Sequence, residues 1–114
     1  MRVPTDQLAT PTHVTDLATA SIALVQRGHS GIFHVTGPDF LSRYDFALMA
    51  CGILNLDAAL ILPLTTPELN PKAARPLLGG LRIDKLNAKL NATLGVNFMR
   101  PPSIGIRDWH EASA

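Results

Sequence analysis

Residues 31–54 constrain the fold more than any other part of this chain. Within them, residues 32–36 form a short run of β-branched and aromatic side chains bounded by glycines, which predicts a buried strand. Gly37 breaks that strand, and from Ser42 onward apolar residues recur at helical spacing. We therefore predict a strand–turn–helix unit of an α/β protein, with Ser42 as the N-cap of its helix.

The rest of the chain is predicted to be mostly helical. A helix follows Pro11, with Thr12 or Thr15 as its N-cap, and it ends at Gly28. Its inward face is predicted to carry Leu17, Ser21, Leu24 and Val25. Two more helices are predicted over residues 84–95 and 103–112, the first with three inward leucines: Leu86, Leu90 and Leu94.

Outside the proline-containing segments, this pattern predicts only one strand. Residues 2–12 and 61–64 contain prolines, which predicts edge strands or loops there. A single strand flanked by helices cannot satisfy its own backbone hydrogen bonds. We therefore expect the chain to be a piece of a larger sheet-containing domain.

Composition and charge exclude several classes of function. The 114 residues carry a net charge of +1 with scattered basic side chains, so neither nucleic acid nor a membrane surface is an expected partner. The one cysteine, Cys51, lies among apolar helical residues and is predicted to be a buried, inert thiol. Since no apolar run has the length of a membrane span and no secretory leader is recognisable, we expect a cytoplasmic protein.

The motifs of catalysis and cofactor binding are missing from the sequence. Residues 28–31 contain two glycines, but they follow a helix and precede a strand, the reverse of a dinucleotide-binding loop. Tyr44 is followed four residues later by Leu48, so there is no tyrosine–lysine pair, and the four histidines are dispersed. We therefore predict no catalytic, cofactor-binding or metal-binding residue in this chain.

Two polar segments remain as candidate binding sites. Asp6 and Gln7 precede Pro11 and Thr12 in a loop that leads into a helix N-terminus, a setting suited to a polar or anionic ligand group. Arg75, followed by Pro76 in a loop rich in glycine and proline, could bind a phosphate in bidentate fashion. The alternative for each is an ordinary solvated loop, which the residues taken alone favour.

Several short motifs occur in an order that is similar to a known family. They are Asp6-Gln7-x-x-x-Pro11-Thr12, Asp16-Leu17-Ala18, residues 31–37 (GIFHVTG), residues 43–47 (RYDFA), Arg75-Pro76 and Lys85-Leu86. This series resembles the C-terminal, substrate-binding part of the dTDP-4-dehydrorhamnose reductases, which are extended short-chain dehydrogenase/reductases. The resemblance implies an α/β fold in which residues 1–114 are one partial domain, a C-terminal fragment of a Rossmann-like enzyme. That fragment would be mostly helical, with one or two strands plus edge pieces, and would lack the N-terminal dinucleotide-binding domain.

The resemblance also implies a function. Such enzymes reduce dTDP-4-dehydro-6-deoxy sugars in dTDP-rhamnose biosynthesis with NADPH or NADH, which would bind outside this segment. The substrate-binding residues would be Asp6, Gln7, Pro11, Thr12, Arg75 and Pro76. The expected partners are the dTDP-linked sugar and the missing Rossmann portion. Because the cofactor loop and the catalytic tyrosine–lysine pair are absent, the chain alone is predicted to be inactive.

The sequence departs from the family pattern at positions that affect substrate choice. No glycine stands between Gln7 and Pro11, and Leu78, Gly79 and Arg82 replace polar residues usual in the family. The same family includes a regulatory subunit of methionine adenosyltransferase, which residues 104–107 also resemble. A non-catalytic interaction module is therefore an alternative, and part of another nucleotide-sugar epimerase or reductase is a third.

Overall fold

The computed structural model describes residues 1–113 as a mixed α/β fold in which helices dominate. The strands are β1 (Arg2–Pro4), β2 (Leu8–Ala9), β3 (Leu41–Ser42) and β4 (Leu62–Leu64). The helices are α1 (Val14–Gln26), α2 (Arg43–Leu54), α3 (Thr66–Leu69), α4 (Asp84–Leu94) and α5 (Pro102–Ser113), and a 3₁₀ turn covers Ala58–Leu60. This composition confirms the predicted fold class, a mostly helical α/β chain with few and short strands.

The strands form two small pairs rather than one sheet. β1 pairs with β4 in parallel, and β2 pairs with β3 in antiparallel orientation. Leu8 of β2 also forms a parallel bridge with Leu78. Prolines occur in both β1 and β4, as expected for strands at the edge of a sheet, because proline has no N–H to donate.

The largest apolar core lies between α1 and α4. It contains Ala20, Ala23, Leu24, Ile83, Leu86, Leu90 and Met99. The predicted inward positions Leu86 and Leu90 of α4 are confirmed, with exposed fractions of 1% and 0%. The predicted inward face of α1 was wrong except for Leu24, since Leu17 and Val25 are exposed. The alanines occupy the inner side of α1 because small side chains allow α4 to approach closely. The spacing of apolar residues along α1 does not by itself show which side faces α4.

The predicted strand over residues 32–36 is absent as a strand. Its side chains alternate as in a strand, with Phe33 and Val35 packed against the core and Ile32 and His34 outward. Within residues 1–113, however, no neighbouring strand provides it with a ladder of backbone hydrogen bonds. The prediction failed because a strand needs a partner as well as a suitable sequence.

The sequence predicts the N-cap of α2 correctly but not that of α1. Ser42 is the N-cap of α2, as predicted, and its Oγ accepts a hydrogen bond from the backbone N–H of Asp45 at 3.0 Å. The N-cap of α1 is His13 rather than Thr12 or Thr15, and its Nδ1 accepts from the backbone N–H of Thr15 at 3.2 Å. Thr12 does not cap α1 because its hydroxyl is bonded elsewhere.

The described chain is flat. Its extents are 45 × 35 × 19 Å and its radius of gyration is 16.1 Å, whereas a compact domain of this length has a radius of gyration of roughly 13 Å. Among residues 1–113, no helix combines the length and the apolar character that crossing a membrane requires. The flat shape leaves large parts of both faces in contact with solvent.

Candidate functional site

Asp6 lies between β1 and β2 and is bonded to the start of α3. Both carboxylate oxygens accept from the backbone N–H of Thr66 at 3.0 Å, and Oδ1 also accepts from the Thr66 hydroxyl at 2.7 Å. These hydrogen bonds, the hydroxyl one foremost, hold the pKa of Asp6 below its ordinary value. The helix N-terminus beside Asp6 is therefore that of α3, not that of α1 as the sequence suggested.

Gln7 converges on the same threonine. Its side chain is buried, and Nε2 donates to the Thr66 hydroxyl oxygen at 3.1 Å. Its backbone carbonyl accepts from the N–H of Arg43, the first residue of α2, at 3.0 Å. Asp6 and Gln7 together thus fix the loop between β1 and β2 against α2 and α3.

Pro11 and Thr12 are held against Gly37. The Thr12 hydroxyl donates to the carbonyl of Thr10 and accepts from the backbone N–H of Gly37, each at 3.0 Å. A Cβ at position 37 would lie 1.9 Å from the Pro11 carbonyl oxygen, so only glycine allows this approach. The loop before α1 is therefore a well-defined surface rather than a free connection.

Arg75 and Pro76 are exposed, and the residues that follow them pair with β2. The backbone N–H of Leu8 donates to the carbonyl of Leu77 at 2.7 Å, and the N–H of Gly79 donates to the carbonyl of Leu8 at 2.8 Å. Within residues 1–113, the Arg75 guanidinium takes part in no hydrogen bond or ion pair. It is therefore available to an anionic ligand.

The structure joins the two candidate segments through β2. We call residues 5–10 and 75–81 together the β2 surface, since β2 lies at its centre and residues 77–79 pair with it. Pro11 and Thr12 lie at the end of this surface and line a separate, apolar cleft of about 370 Å³ between α2 and α5. Asp6, Gln7, Arg75 and Pro76 do not line that cleft, so the six predicted residues divide between two adjoining surfaces.

An ion pair with one buried partner, which the sequence prediction missed, joins α1 to the segment before α5. Asp16 is 7% exposed and accepts from the backbone N–H of Arg100 at 3.0 Å, while Nη2 of Arg100 lies 2.8 Å from Oδ1. The hydrogen bonds to Asp16 raise the pKa of Arg100 above its ordinary value. Asp108 lies 3.5 Å from both Arg100 Nη2 and His13 Nε2. The sequence could have indicated this ion pair only through Asp16 itself, which lies one turn before Ala20 on the side of α1 that carries alanines.

The glycines that follow α1 are not arranged as in a dinucleotide-binding loop. Gly28 and Gly31 adopt positive φ angles, but they follow the helix α1, whereas a phosphate-binding loop connects a strand to the start of a helix. Residues 1–113 also contain no group of three or more histidine, cysteine, aspartate or glutamate side chains that could hold a metal ion.

Comparison with known proteins gives a family match over most of the chain. The family described as the RmlD substrate binding domain matches residues 1–95. A probable low-salt glycan biosynthesis reductase, Agl14 of Haloferax volcanii, is 32% identical over 89 residues, which are 78% of this chain and 30% of that protein. Methionine adenosyltransferase 2 subunit beta of Pongo abelii is 32% identical over 104 residues, covering 86% of this chain and 29% of that protein.

A solved structure matches nearly the whole chain. The dTDP-4-dehydrorhamnose reductase of Bacillus anthracis, solved in complex with NADP, superimposes with a TM-score of 0.84 and 27% identity. The match covers 98% of this chain and 38% of that one. The chain thus spans about a third of the length of the relatives that it matches.

Proposed function

Because the chain belongs to the RmlD substrate-binding domain family, we propose that it is the substrate-binding portion of an NADPH-dependent reductase. Its substrate is a dTDP-linked 4-dehydro-6-deoxy sugar, in the pathway to dTDP-rhamnose. The observation that supports this proposal is the pairing of residues 77–79 with Leu8, which joins the segment that follows Arg75 to the segment that follows Asp6 and Gln7. The Bacillus anthracis relative, named for the same reaction class, supports it.

Each predicted residue has a distinct task in this proposal. Arg75 binds the diphosphate of the substrate through two parallel N–H donors, which match phosphate oxygens well. Asp6 and Gln7 act as positioning residues, since their side chains hold the start of α3 through Thr66. Pro11 and Thr12, held against Gly37, bound the sugar end of the surface.

Reduction of a ketone needs a hydride donor and a positioned proton donor. The nicotinamide cofactor, NADPH or NADH, supplies the hydride when it is bound in the remaining part of such a reductase. The described residues offer no cofactor loop, so we propose that the chain alone does not oxidise NADPH in the presence of substrate. NADPH oxidation by the purified 114-residue chain would contradict this.

Titration of dTDP into the isolated chain tests the substrate proposal. A bidentate ion pair with phosphate contributes roughly 1.5–3 kcal/mol, so Arg75→Ala should weaken dTDP binding at least about tenfold. Arg107→Ala is the matched control, because Arg107 is an exposed arginine on α5 and belongs to neither segment of the β2 surface. Equal affinities of the wild type and Arg75→Ala would remove Arg75 from the site.

A non-catalytic interaction module is the second candidate. It is favoured by the breadth of the match to methionine adenosyltransferase 2 subunit beta, which covers 86% of the chain against 78% for the Agl14 match. This function predicts a stable complex with a methionine adenosyltransferase in a pull-down, and no binding of dTDP. A third candidate, part of another nucleotide-sugar epimerase or reductase, predicts tighter binding of a different nucleotide in the same titration.

We also propose a reducing, cytoplasmic location. Cys51 is free and buried, which suits a compartment where thiols stay reduced. Recovery of the protein from a periplasmic or secreted fraction would contradict this location.

A further inference from the structure

Phe40 contacts the β2 surface although it comes from a different part of the chain. It directly precedes β3 (Leu41–Ser42), the strand that pairs with β2. Its ring packs over the backbone of Gly80, where an added Cβ would overlap the ring at Cδ2 and Cε2. The absence of a side chain at position 80 therefore leaves room for the ring, while Phe40 itself stays 52% exposed.

Leu78 is a second exposed apolar residue of the same surface. It forms the bridge to Leu8 of β2, and its exposed fraction is 73%. Since Leu78 lies two residues before Gly80 in this extended segment, the two positions face the same side, the side on which the ring of Phe40 lies. Neither Phe40 nor Leu78 belongs to the apolar core between α1 and α4. We call these two residues the apolar patch of the β2 surface.

The apolar patch distinguishes a methyl group from a hydroxymethyl group. Its two side chains carry no hydrogen-bond donor or acceptor. A ligand hydroxyl pressed against them would lose its hydrogen bonds to water and gain none, which is unfavourable. A methyl group in the same place would gain free energy by leaving water. The patch therefore favours a ligand that has an apolar carbon at this point.

We propose that Phe40 and Leu78 contact the C6 methyl group of the sugar and so select a 6-deoxy sugar over its 6-hydroxy counterpart. This assignment rests on the proposed function, in which Arg75 binds the diphosphate and the sugar lies toward Pro11 and Thr12. In a 4-dehydro-6-deoxy hexose, the C6 methyl is the one carbon that carries no oxygen, so it is the part of the sugar that suits an apolar contact.

The position of the patch fits this assignment from both sides. Arg75 lies three residues before Leu78 in the same segment, and its positive charge suits a diphosphate. Phe40 lies three residues after Gly37, whose backbone N–H donates to the Thr12 hydroxyl at 3.0 Å. The patch thus combines a residue from the segment proposed to bind the diphosphate with one from the loop that holds the sugar end.

A matched pair of ligands tests the selection. dTDP-6-deoxyglucose and dTDP-glucose differ by one oxygen, at C6, and each is titrated into the 114-residue chain beside dTDP alone. The wild type should bind the 6-deoxy ligand about 10- to 100-fold more tightly, and in Phe40→Ala this preference should fall below about threefold. The affinity for dTDP, which carries no sugar, should not change in Phe40→Ala. Equal affinities of the wild type for the two sugars, or a full preference in Phe40→Ala, would overturn the proposal.

Leu78→Asn is the second variant, because its amide supplies hydrogen-bonding groups in place of an apolar side chain. It should bind dTDP-glucose more tightly than the wild type does, a gain that loss of folding cannot produce. Leu60→Asn is the matched control, since Leu60 is 63% exposed but lies in the 3₁₀ turn, outside both segments of the β2 surface. This control should keep the wild-type preference. Binding of dTDP-glucose by Leu78→Asn that is no tighter than wild type would overturn the proposal.

The same titrations separate failure of the apolar patch from failure of the proposed function. If dTDP does not bind at millimolar concentration, both are overturned, because the patch needs the nucleotide to hold the sugar against it. If dTDP binding depends on Arg75 but the two sugars bind equally, the role of Phe40 and Leu78 is overturned and the proposed function stands.

Discussion

Replacing Asp16 by alanine tests how the start of α1 is held against the segment before α5. Asp16 is 7% exposed, accepts from the Arg100 backbone N–H at 3.0 Å, and lies 2.8 Å from Nη2 of its guanidinium. Removing one partner of a fully buried pair costs about 3–5 kcal/mol, but the Arg100 side chain is 30% exposed and can be partly rehydrated. We therefore expect a loss of about 2–3 kcal/mol in the free energy of unfolding. At about 2.1 cal/mol/K per residue, this corresponds to a melting temperature lower by roughly 8–12 °C.

The assay is thermal and urea unfolding followed by circular dichroism, with a double-mutant cycle through Arg100→Met. The matched control is Arg82→Ala, which removes the pair of Arg82 and Asp84 at 2.6 Å, whose side chains are 90% and 73% exposed. An exposed pair contributes at most about 1 kcal/mol, so the control should lose far less stability. A loss for Asp16→Ala no larger than that for Arg82→Ala would show that burial does not decide the strength of the ion pair.

Three further substitutions test other contacts in the fold. Leu90 is fully buried, so Leu90→Ala should lower the free energy of unfolding by about 2–5 kcal/mol in urea titration, and a loss below about 1 kcal/mol would place it outside the core. Gly37→Ala would put a Cβ 1.9 Å from the Pro11 carbonyl oxygen, so it should destabilise the chain by about 1–3 kcal/mol. It should also shift the amide resonance of Thr12, and an unchanged spectrum would contradict the contact. The lowered pKa of Asp6 means that its carboxylate stabilises the fold above the unfolded-state pKa of about 3.9, and that this contribution is lost as pH falls through the lower folded-state value. The stability difference between wild type and Asp6→Asn should therefore shrink on acidification below about pH 4, and a constant difference would contradict the assignment.

Local features of this fold could be predicted from the sequence. Ser42 caps α2 through a hydrogen bond to a residue only three positions away, so the information is contained in the motif itself. Leu86 and Leu90 are buried because α4 has one apolar face and a polar remainder. The inward side of α1 could not be predicted in this way, because both of its sides are apolar and only contact with α4 selects one.

Features that depend on distant neighbours could not be predicted. Residues 32–36 have a strand sequence, but no partner strand lies within residues 1–113. Asp6 bonds to Thr66, sixty residues away, and Asp16 bonds to Arg100, so neither contact leaves a local pattern in the sequence. The pairing of Leu8 with residues 77–79 likewise joins segments that are far apart in the sequence.

Mapping dTDP onto the chain by amide chemical-shift perturbation is the most direct test of the central claim, that the β2 surface binds the nucleotide of a nucleotide sugar. UDP serves as the comparison ligand, because it carries the same diphosphate with a different base. We expect saturable shifts in residues 5–10 and 75–81, the two segments of the described chain that form the β2 surface, and a loss of those shifts in Arg75→Ala. Shifts confined to α1 or α4, or no shifts at millimolar dTDP, would contradict it.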